Sequence, residues 1–434
     1  MRKERGIFDI LIIFIGPIGF LAFQLLPIEF HVKIVLGTIF WVALWWIFEA
    51  VPLIITSFIP LVVSSISGYI PMKEISKSYA EPVIFLFLGC FILAKAIEKH
   101  NVHLFLLNLL LRLFPKNELG MFLGFSLTVF FLSMWITNTS ATLIALSIIS
   151  PIPRSNLTKV LALSSAYSSN IGGISTLVGT PPNMIYAGMM KNLNIEVSFW
   201  SWFKFAFPYA LTLEFIFILF AINVFRIGFK KVDIEISYQK LSKEGKITLM
   251  VFIFTIFLWI FSSYFKFLDE TTIILISSIF LVVFKIVDLE DIRKIHWDTL
   301  FVFGGGFALS QMLMKSEIIE NTVVNLGLSP LIVLITMAII TLLITEISSN
   351  TSTASLLIPI SIEMARSLNL KVSGLSAVIA IGSSTGFMMP IGTPSNMLAY
   401  SLGFVSFKEM VKYGVFLDLI SVILNILITY NFSP

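Results

Sequence analysis

Ser133-Met-Trp135-Ile-Thr137-Asn138-Thr139-Ser140-Ala-Thr142 decides how this chain is read, because a version of it occurs twice. Downstream of it come Asn170-Ile-Gly-Gly173 and Thr176-Leu-Val-Gly179-Thr180-Pro181-Pro182-Asn183. The second copy is Thr345-Glu346-Ile-Ser348-Ser349-Asn350-Thr351-Ser352-Thr353, followed by Gly386 and then Gly392-Thr393-Pro394-Ser395-Asn396. Asn138 and Asn350 are 212 residues apart, and Gly179 and Gly392 are 213 apart. Upstream, Phe87-Leu-Gly89-Cys-Phe91 matches Phe303-Gly-Gly305-Gly-Phe307 at a spacing of 216. Three landmarks in one order at nearly one spacing imply an internal duplication. In an apolar chain, paired polar interruptions at corresponding places in two halves point to a binding site.

Composition places that site in a membrane. Of 434 residues, 57% are apolar and 12% charged, and the mean hydropathy is +0.96. A soluble domain carries about twice that charge. Apolar runs recur at 11–26, 34–43, 211–224 and 247–261, and the longest hydrophilic stretch is roughly 226–246. The basic start Met1-Arg-Lys-Glu-Arg5 has no small-x-small cleavage site after it, so it reads as the entry to a first membrane helix. The single cysteine, Cys90, excludes an internal disulfide. The net charge of +4 sits mostly in loops, where it is a topology signal and not a nucleic-acid footprint.

The pattern predicts an all-α polytopic membrane protein. Eleven spans are expected, at about 7–27, 33–48, 53–67, 81–113, 157–190, 205–226, 246–263, 271–286, 298–324, 370–400 and 411–430. The fourth is too long for one straight crossing of ~20 residues, which implies a break or an interfacial part. The stretches 119–153 and 329–366 each carry a Ser/Thr/Asn cluster near the middle. Each could be two full spans or a re-entrant helical hairpin. With the N-terminus cytoplasmic and both stretches re-entrant, cytoplasmic segments collect 19 Lys/Arg and outside segments 9. That bias favours re-entrance. The expected organisation is an N-terminal span (1–30), a first repeat (31–226), a cytoplasmic connector (227–245) and a second repeat (246–434) of inverted topology. Hairpins at 119–153 and 329–366 and broken helices at 157–190 and 370–400 carry the polar motifs.

The chemistry is expected where helices break. Asn and Thr are good N-caps, so Asn138-Thr139 and Asn350-Thr351 should start the second arm of each hairpin. A half-helix N-terminus suits an anion, while the hydroxyls and carbonyls of Ser133, Thr137, Ser348 and Ser349 are hard neutral oxygens suited to Na⁺. The prolines of the two Gly-Thr-Pro segments should unwind their helices by removing a donor and clashing with the preceding turn. Gly179 and Gly392 let that backbone approach an ion.

These residues resemble one known family, the divalent anion/sodium symporters, which carry dicarboxylates, citrate or sulfate. The resemblance rests on Glu49-Ala-Val-Pro52, Phe85-Leu-Phe-Leu-Gly89, Gly304-Gly-Gly306, both Asn-Thr motifs and both Thr-Pro segments. The family's Ser-Asn-Thr signature is intact at Ser349-Asn350-Thr351 and reads Thr137-Asn138-Thr139 in the first copy. The resemblance implies a first Na⁺ site at Ser133, Thr137, Asn138 and Gly179, and a second at Thr345, Ser348, Asn350 and Gly392. It implies substrate contacts from Asn138, Thr139, Thr180, Asn350, Thr351, Thr393 and Pro394. It also implies a homodimer in the cell membrane and an elevator movement of the hairpin-bearing part.

The remaining polar residues are assigned other roles. Glu346 sits near the middle of the second hairpin, where it could relay protons or turn away from the ion site. Glu49 reads as structural, and His100 and His103 lack a carboxylate or Cys to complete a metal set. No HExxH, phosphate loop or nucleophile elbow argues for an enzyme. The motifs contain no Arg or Lys, which suits an anion accompanied by cations. A proton-coupled or exchanging carrier of citrate or arsenite is the alternative, with a channel further off.

Overall fold

Helix starts fall where the sequence supplies caps. Asn117, Ser198, Asp269 and Ser329 each accept a hydrogen bond from a first-turn backbone amide. Ser155 with Thr158, and Asp288 with Asp291, form reciprocal capping boxes. The computed structural model describes residues 7–149, 153–232, 240–261, 269–316, 318 and 329–432. The expectations for the basic start, for much of the connector and for the end of the ninth span lie outside those residues.

In chain order the helices are α1 (Ile7–Gln24), α2 (Phe30–Ile47), α3 (Leu53–Ser57), α4 (Ile59–Ile66), α5 (Met72–Ile75), α6 (Pro82–Lys99) and α7 (Val102–Leu111). Then come α8 (Glu118–Ser133), α9 (Asn138–Ile149), α10 (Asn156–Ile174), α11 (Pro181–Asn192), α12 (Phe199–Phe225), α13 (Lys243–Phe261) and α14 (Glu270–Val283). The last are α15 (Leu289–Arg293), α16 (Trp297–Ser316), α17 (Pro330–Thr345), α18 (Asn350–Ser367), α19 (Val372–Gly382), α20 (Pro394–Ser401) and α21 (Phe407–Phe432). Among the described residues the extended structure is a lone bridge between Asn117 and Lys231.

Among the described residues, five helical stretches are long and apolar enough to cross a bilayer: Phe30–Ile47, Met72–Lys99, Phe199–Phe225, Lys243–Phe261 and Phe407–Thr429. Most other apolar helices are shorter because polar residues interrupt them. The stretch 81–113 breaks at His100–Asn101, where Asn101 takes a left-handed φ of 54°, a conformation that Asn tolerates. The stretch 157–190 divides into α10 and α11 around residues 175–180, and 370–400 into α19 and α20 around 383–393. Large apolar side chains such as Ile18, Leu21, Phe254, Ile279, Leu343 and Leu419 stand exposed on α1, α13, α14, α17 and α21. Lipid solvates a surface of this kind, which water would oppose.

Packing exchanges elements between the halves. α10 lies against α8, α9 and α12, and also against α20 from the second half. α11 lies against α18 and α19, and α20 against α9. α10 is buried along almost its whole length, which its Ser/Ala/Gly composition permits, since small residues let helices approach closely. A Cβ at Gly172 would collide with the Phe130 backbone of α8. This exchange brings the 134–137 and 346–349 turns and both breaks into one region.

Candidate functional site

The two turns and two breaks meet around a cavity of about 250 Å³. Thr137, Asn138 and Thr139 come from the first turn, and Ser349, Asn350 and Thr351 from the second. The breaks supply Gly179, Thr180, Pro181, Thr393, Pro394 and Ser395. The facing wall is Leu53 of α3, Phe87 and Phe91 of α6, and His296, Asp298, Thr299 and Val302 at the start of α16. All seven residues expected to face an anion line this cavity: Asn138, Thr139, Thr180, Asn350, Thr351, Thr393 and Pro394. Four helix N-termini, those of α9, α11, α18 and α20, open at it. Each offers a positive dipole end, though α11 opens with Pro181 and Pro182, which carry no amide hydrogen, and the Asn183 amide is bonded to the Thr180 carbonyl. Among the described residues no Lys or Arg lines it.

Of the expected cation ligands, Thr137, Asn138, Gly179 and Asn350 line the cavity, while Ser133, Thr345, Ser348 and Gly392 do not. The turn folds the last residue of α8 onto the first of α9, so Ser133 Oγ donates to Asn138 Oδ1 at 2.8 Å. A Cβ on Gly173 would strike Asn138 Oδ1, and one on Gly179 would strike the Gly173 carbonyl, so only glycine allows these oxygens to converge. In the second half Thr345 Oγ1 lies 3.1 Å from Asn350 Oδ1 and 2.6 Å from the Ser383 carbonyl. Three oxygens there share one hydroxyl hydrogen. Such neutral oxygen sets fit a hard monovalent cation. Among the described residues no group of three or more His, Cys, Asp or Glu converges to suit a softer metal.

Thr137 and Ser348 differ from the expectation. Thr137 Oγ1 donates to Ser140 Oγ at 2.9 Å, and Ser140 is bonded to Glu98 of α6. Ser348 Oγ donates to the Trp46 carbonyl of α2 at 3.1 Å. The Thr137 hydroxyl is committed to the first turn of α9 and the Ser348 hydroxyl to α2, both outside the oxygen clusters.

The prolines also act differently. Pro181 and Pro394 are first residues of α11 and α20, where the missing N–H costs no helical bond. Their effect falls on the residue before, which proline disfavours from helical geometry: Thr180 has φ −146°, ψ 144° and Thr393 φ −139°, ψ 150°. The breaks themselves are braced by the asparagines that end the motifs. Asn183 Nδ2 reaches the carbonyls of Gly173, Ile174 and Thr176 at 3.0, 3.2 and 2.6 Å. Asn396 Nδ2 donates to those of Gly386 and Met389 at 3.0 and 3.1 Å. Gly173 and Gly386, and Thr176 and Met389, are both separated by 213, the motif spacing itself.

Asn170 was not placed in the site from sequence, yet it ties the halves together. It accepts from Asn138 Nδ2 and donates to Thr393 Oγ1 and Asn396 Oδ1, each at 3.3 Å. Its counterpart at the repeat spacing is Ser383, whose carbonyl faces Thr345, and that correspondence is the signal that could have found it. Glu346 does not line the cavity. Its carboxyl accepts the Met388 and Met389 amides at 3.0 and 2.6 Å, and Asp418 accepts that of Phe387 at 3.0 Å. Three successive amides of the second break are thereby satisfied.

The sequence matches the citrate transporter family over residues 43–374 and 329–432. The sodium-dependent dicarboxylate transporter SdcS of Staphylococcus saprophyticus is 30% identical, over 100% of this chain and 93% of that protein. SdcS of Staphylococcus aureus strain MSSA476 is 31% identical, over 96% of this chain and 90% of its own length. Two solved structures share the fold at 12% identity. MtrF of Neisseria gonorrhoeae, from a class of antimetabolite efflux pumps, aligns with a TM-score of 0.60 over 86% of this chain and 84% of its own. The YdaH transporter of Alcanivorax borkumensis aligns with a TM-score of 0.57 over 82% and 86%. Matched from residue 43 almost to its last residue, the chain belongs to the citrate transporter family, in the divalent anion/sodium symporter group, and is a multi-pass membrane transporter.

Proposed function

We propose that this chain is a secondary active transporter that carries a divalent anion together with Na⁺, a C4-dicarboxylate such as succinate, malate or fumarate being the foremost substrate. The observation that carries this reading is the cavity lining among the described residues: hydroxyls, amides, four helix N-termini, one carboxylate (Asp298) and one imidazole (His296), with no Lys or Arg. Carboxylates entering a low-dielectric site are costly unless positive charge accompanies them. With no Lys or Arg among the described wall residues, mobile cations must do this, and the oxygen clusters around Asn138 and Asn350 are where Na⁺ would bind. The names of the SdcS relatives agree with this coupling and substrate class.

In this reading the two halves are inverted repeats, with 119–153 and 329–366 as re-entrant hairpins. The hairpins and broken helices move as one body, in an elevator motion, past the wall formed by α6 and α16, in a homodimer whose N-terminus is cytoplasmic. The test is uptake into proteoliposomes across a panel of succinate, malate, fumarate, citrate and sulfate. Saturable uptake of a C4-dicarboxylate that stops when choline replaces Na⁺ supports the reading. Uptake indifferent to that replacement removes Na⁺ coupling and favours a proton-coupled carrier or an exchanger.

A further inference from the structure

Glu214 lies midway along α12, fully buried and away from the cavity described above. One of its oxygens is gripped by serines from two other helices. Ser126 Oγ of α8 and Ser168 Oγ of α10 both donate to Oε1 at 2.8 Å. Ser164 Oγ supports them, donating to Ser126 Oγ at 2.9 Å and lying 3.2 Å from Ser168 Oγ. The other oxygen, Oε2, is buried without a hydrogen-bond partner.

Among the described residues no charge compensates this carboxyl. The titratable side chains on the packed elements are bound elsewhere: Glu118 of α8 to the Gly228 amide, and Lys159 of α10 to Glu409 of α21. Tyr167 and Tyr209, of α10 and α12, donate to the carbonyls of Met410 and Ser421, and Asp418 of α21 holds the Phe387 amide. Lys204 and Arg226 lie near or at the ends of α12, and Lys243, Glu244 and Lys246 in the first turn of α13.

The fold does not require an acid here. Val197-Ser198-Phe199 matches Val405-Ser406-Phe407 at a spacing of 208, which pairs Glu214 with Val422. At the spacings of 212 and 213, Ser126, Ser164 and Ser168 pair with Ala338, Ala377 and Ile381. The second half builds the corresponding place from apolar side chains.

A bare carboxylate oxygen in such surroundings is expensive, and buried acids resolve this by pairing with a cation or by holding a proton. Geometry chooses between them. A hard cation such as Ca²⁺ collects about six to eight oxygens, whereas this carboxyl has two serine hydroxyls, both on Oε1, and Oε2 has no hydrogen-bond partner. A proton needs only Oε2.

We propose that Glu214, with Ser126 and Ser168, is a dissociable proton site whose occupancy sets cation affinity at the cluster of Ser133 and Asn138. Ser126 and Ser133 are two turns apart on α8, about 10 Å at 1.5 Å per residue. A unit charge at that distance, with an effective dielectric of about 20, changes cation affinity on the order of ten-fold. The affinity part of this proposal rests on the Na⁺ reading given above; the proton site itself does not.

The experiment uses the full-length protein in lipid nanodiscs without substrate, so that substrate titration does not interfere. Infrared difference spectra between about pH 5 and about pH 9, a range wide enough to hold a perturbed carboxyl, should show a protonated-carboxyl band that titrates. That band should be absent in Glu214→Gln. In parallel, ²²Na⁺ binding should tighten on the order of ten-fold with rising pH in the wild type, and stay weak and pH-independent in Glu214→Gln. If Glu214→Gln does not fold, Ser126→Ala/Ser168→Ala must move the midpoint of the titrating band. No Na⁺ binding at any pH would sink the Na⁺ reading, and the infrared band alone would then decide the proton site. A titrating band unchanged in Glu214→Gln, a Glu214 that keeps its proton throughout, or an unmoved midpoint in the double variant overturns the proposal.

Discussion

Asn396→Ala should weaken Na⁺ binding more than any change to the prolines beside it. Asn396 is fully buried and makes three hydrogen bonds across the second break. Two run from Nδ2 to the carbonyls of Gly386 and Met389, and one from Asn170 to Oδ1. Each such bond contributes about 1 kcal/mol net, so alanine removes about 3 kcal/mol from the braced geometry. If the break relaxes when the brace is lost, Na⁺ must restore it on binding, and the cost appears in Na⁺ affinity. At ten-fold per 1.4 kcal/mol, the full loss is about 100-fold, and half of it about ten-fold. Pro394 is at the first position of α20 and gives up no helical bond, so Pro394→Ala should stay within about three-fold. The assay is the Na⁺ concentration for half-maximal succinate uptake by purified variants in proteoliposomes, with folding checked by gel filtration. Half-saturation within about two-fold of wild type for Asn396→Ala, or a larger effect from Pro394→Ala, would refute the bracing argument.

Other outcomes are expected. Asn138→Ala and Asn350→Ala should each weaken apparent affinity for both Na⁺ and anion, on the order of ten-fold from one lost bond and its unpaired partner, measured by the same uptake titrations. Cysteines replacing Lys116 and Arg154 should label from the cytoplasmic side, and ones replacing Ser329 and Arg366 from outside; opposite-side labelling within either pair contradicts the re-entrant hairpins. The Lys99 ammonium and the Asp291 amide hold the Asp288 carboxyl down at about 2. Because that pKa is depressed, the tie stabilises the fold above the usual Asp value of about 4 and fades as pH falls towards 2. Thermal unfolding should therefore favour wild type over Asp288→Asn at neutral pH, with the gap closing in acid; a gap that widens there would contradict the assignment.

Sequence alone determined the helical membrane class, since apolar runs with so few charges leave no other solvent for these surfaces. It also marked where helices break, because repeated Asn-Thr and Thr-Pro motifs interrupt helices that lipid would otherwise keep whole; the facing wall of Leu53, Phe87, His296 and Asp298 came only with the fold. Tertiary structure decided where side chains within those motifs point. Thr137 and Ser348 turn to Ser140 and Trp46, and Glu346 turns to the amides of Met388 and Met389. The directions of Ser348 and Glu346 depend on partners distant in the chain, and that of Thr137 on Ser140, which Glu98 of α6 holds in turn. The same holds for Asn170, whose bonds to Thr393 and Asn396 exist only because α10 packs against α20 across 223 and 226 residues of sequence. Asn183 and Asn396 stand in the motifs, but their role as braces needed the folded breaks: an amide cannot be assigned to a carbonyl until the backbone between them has bent.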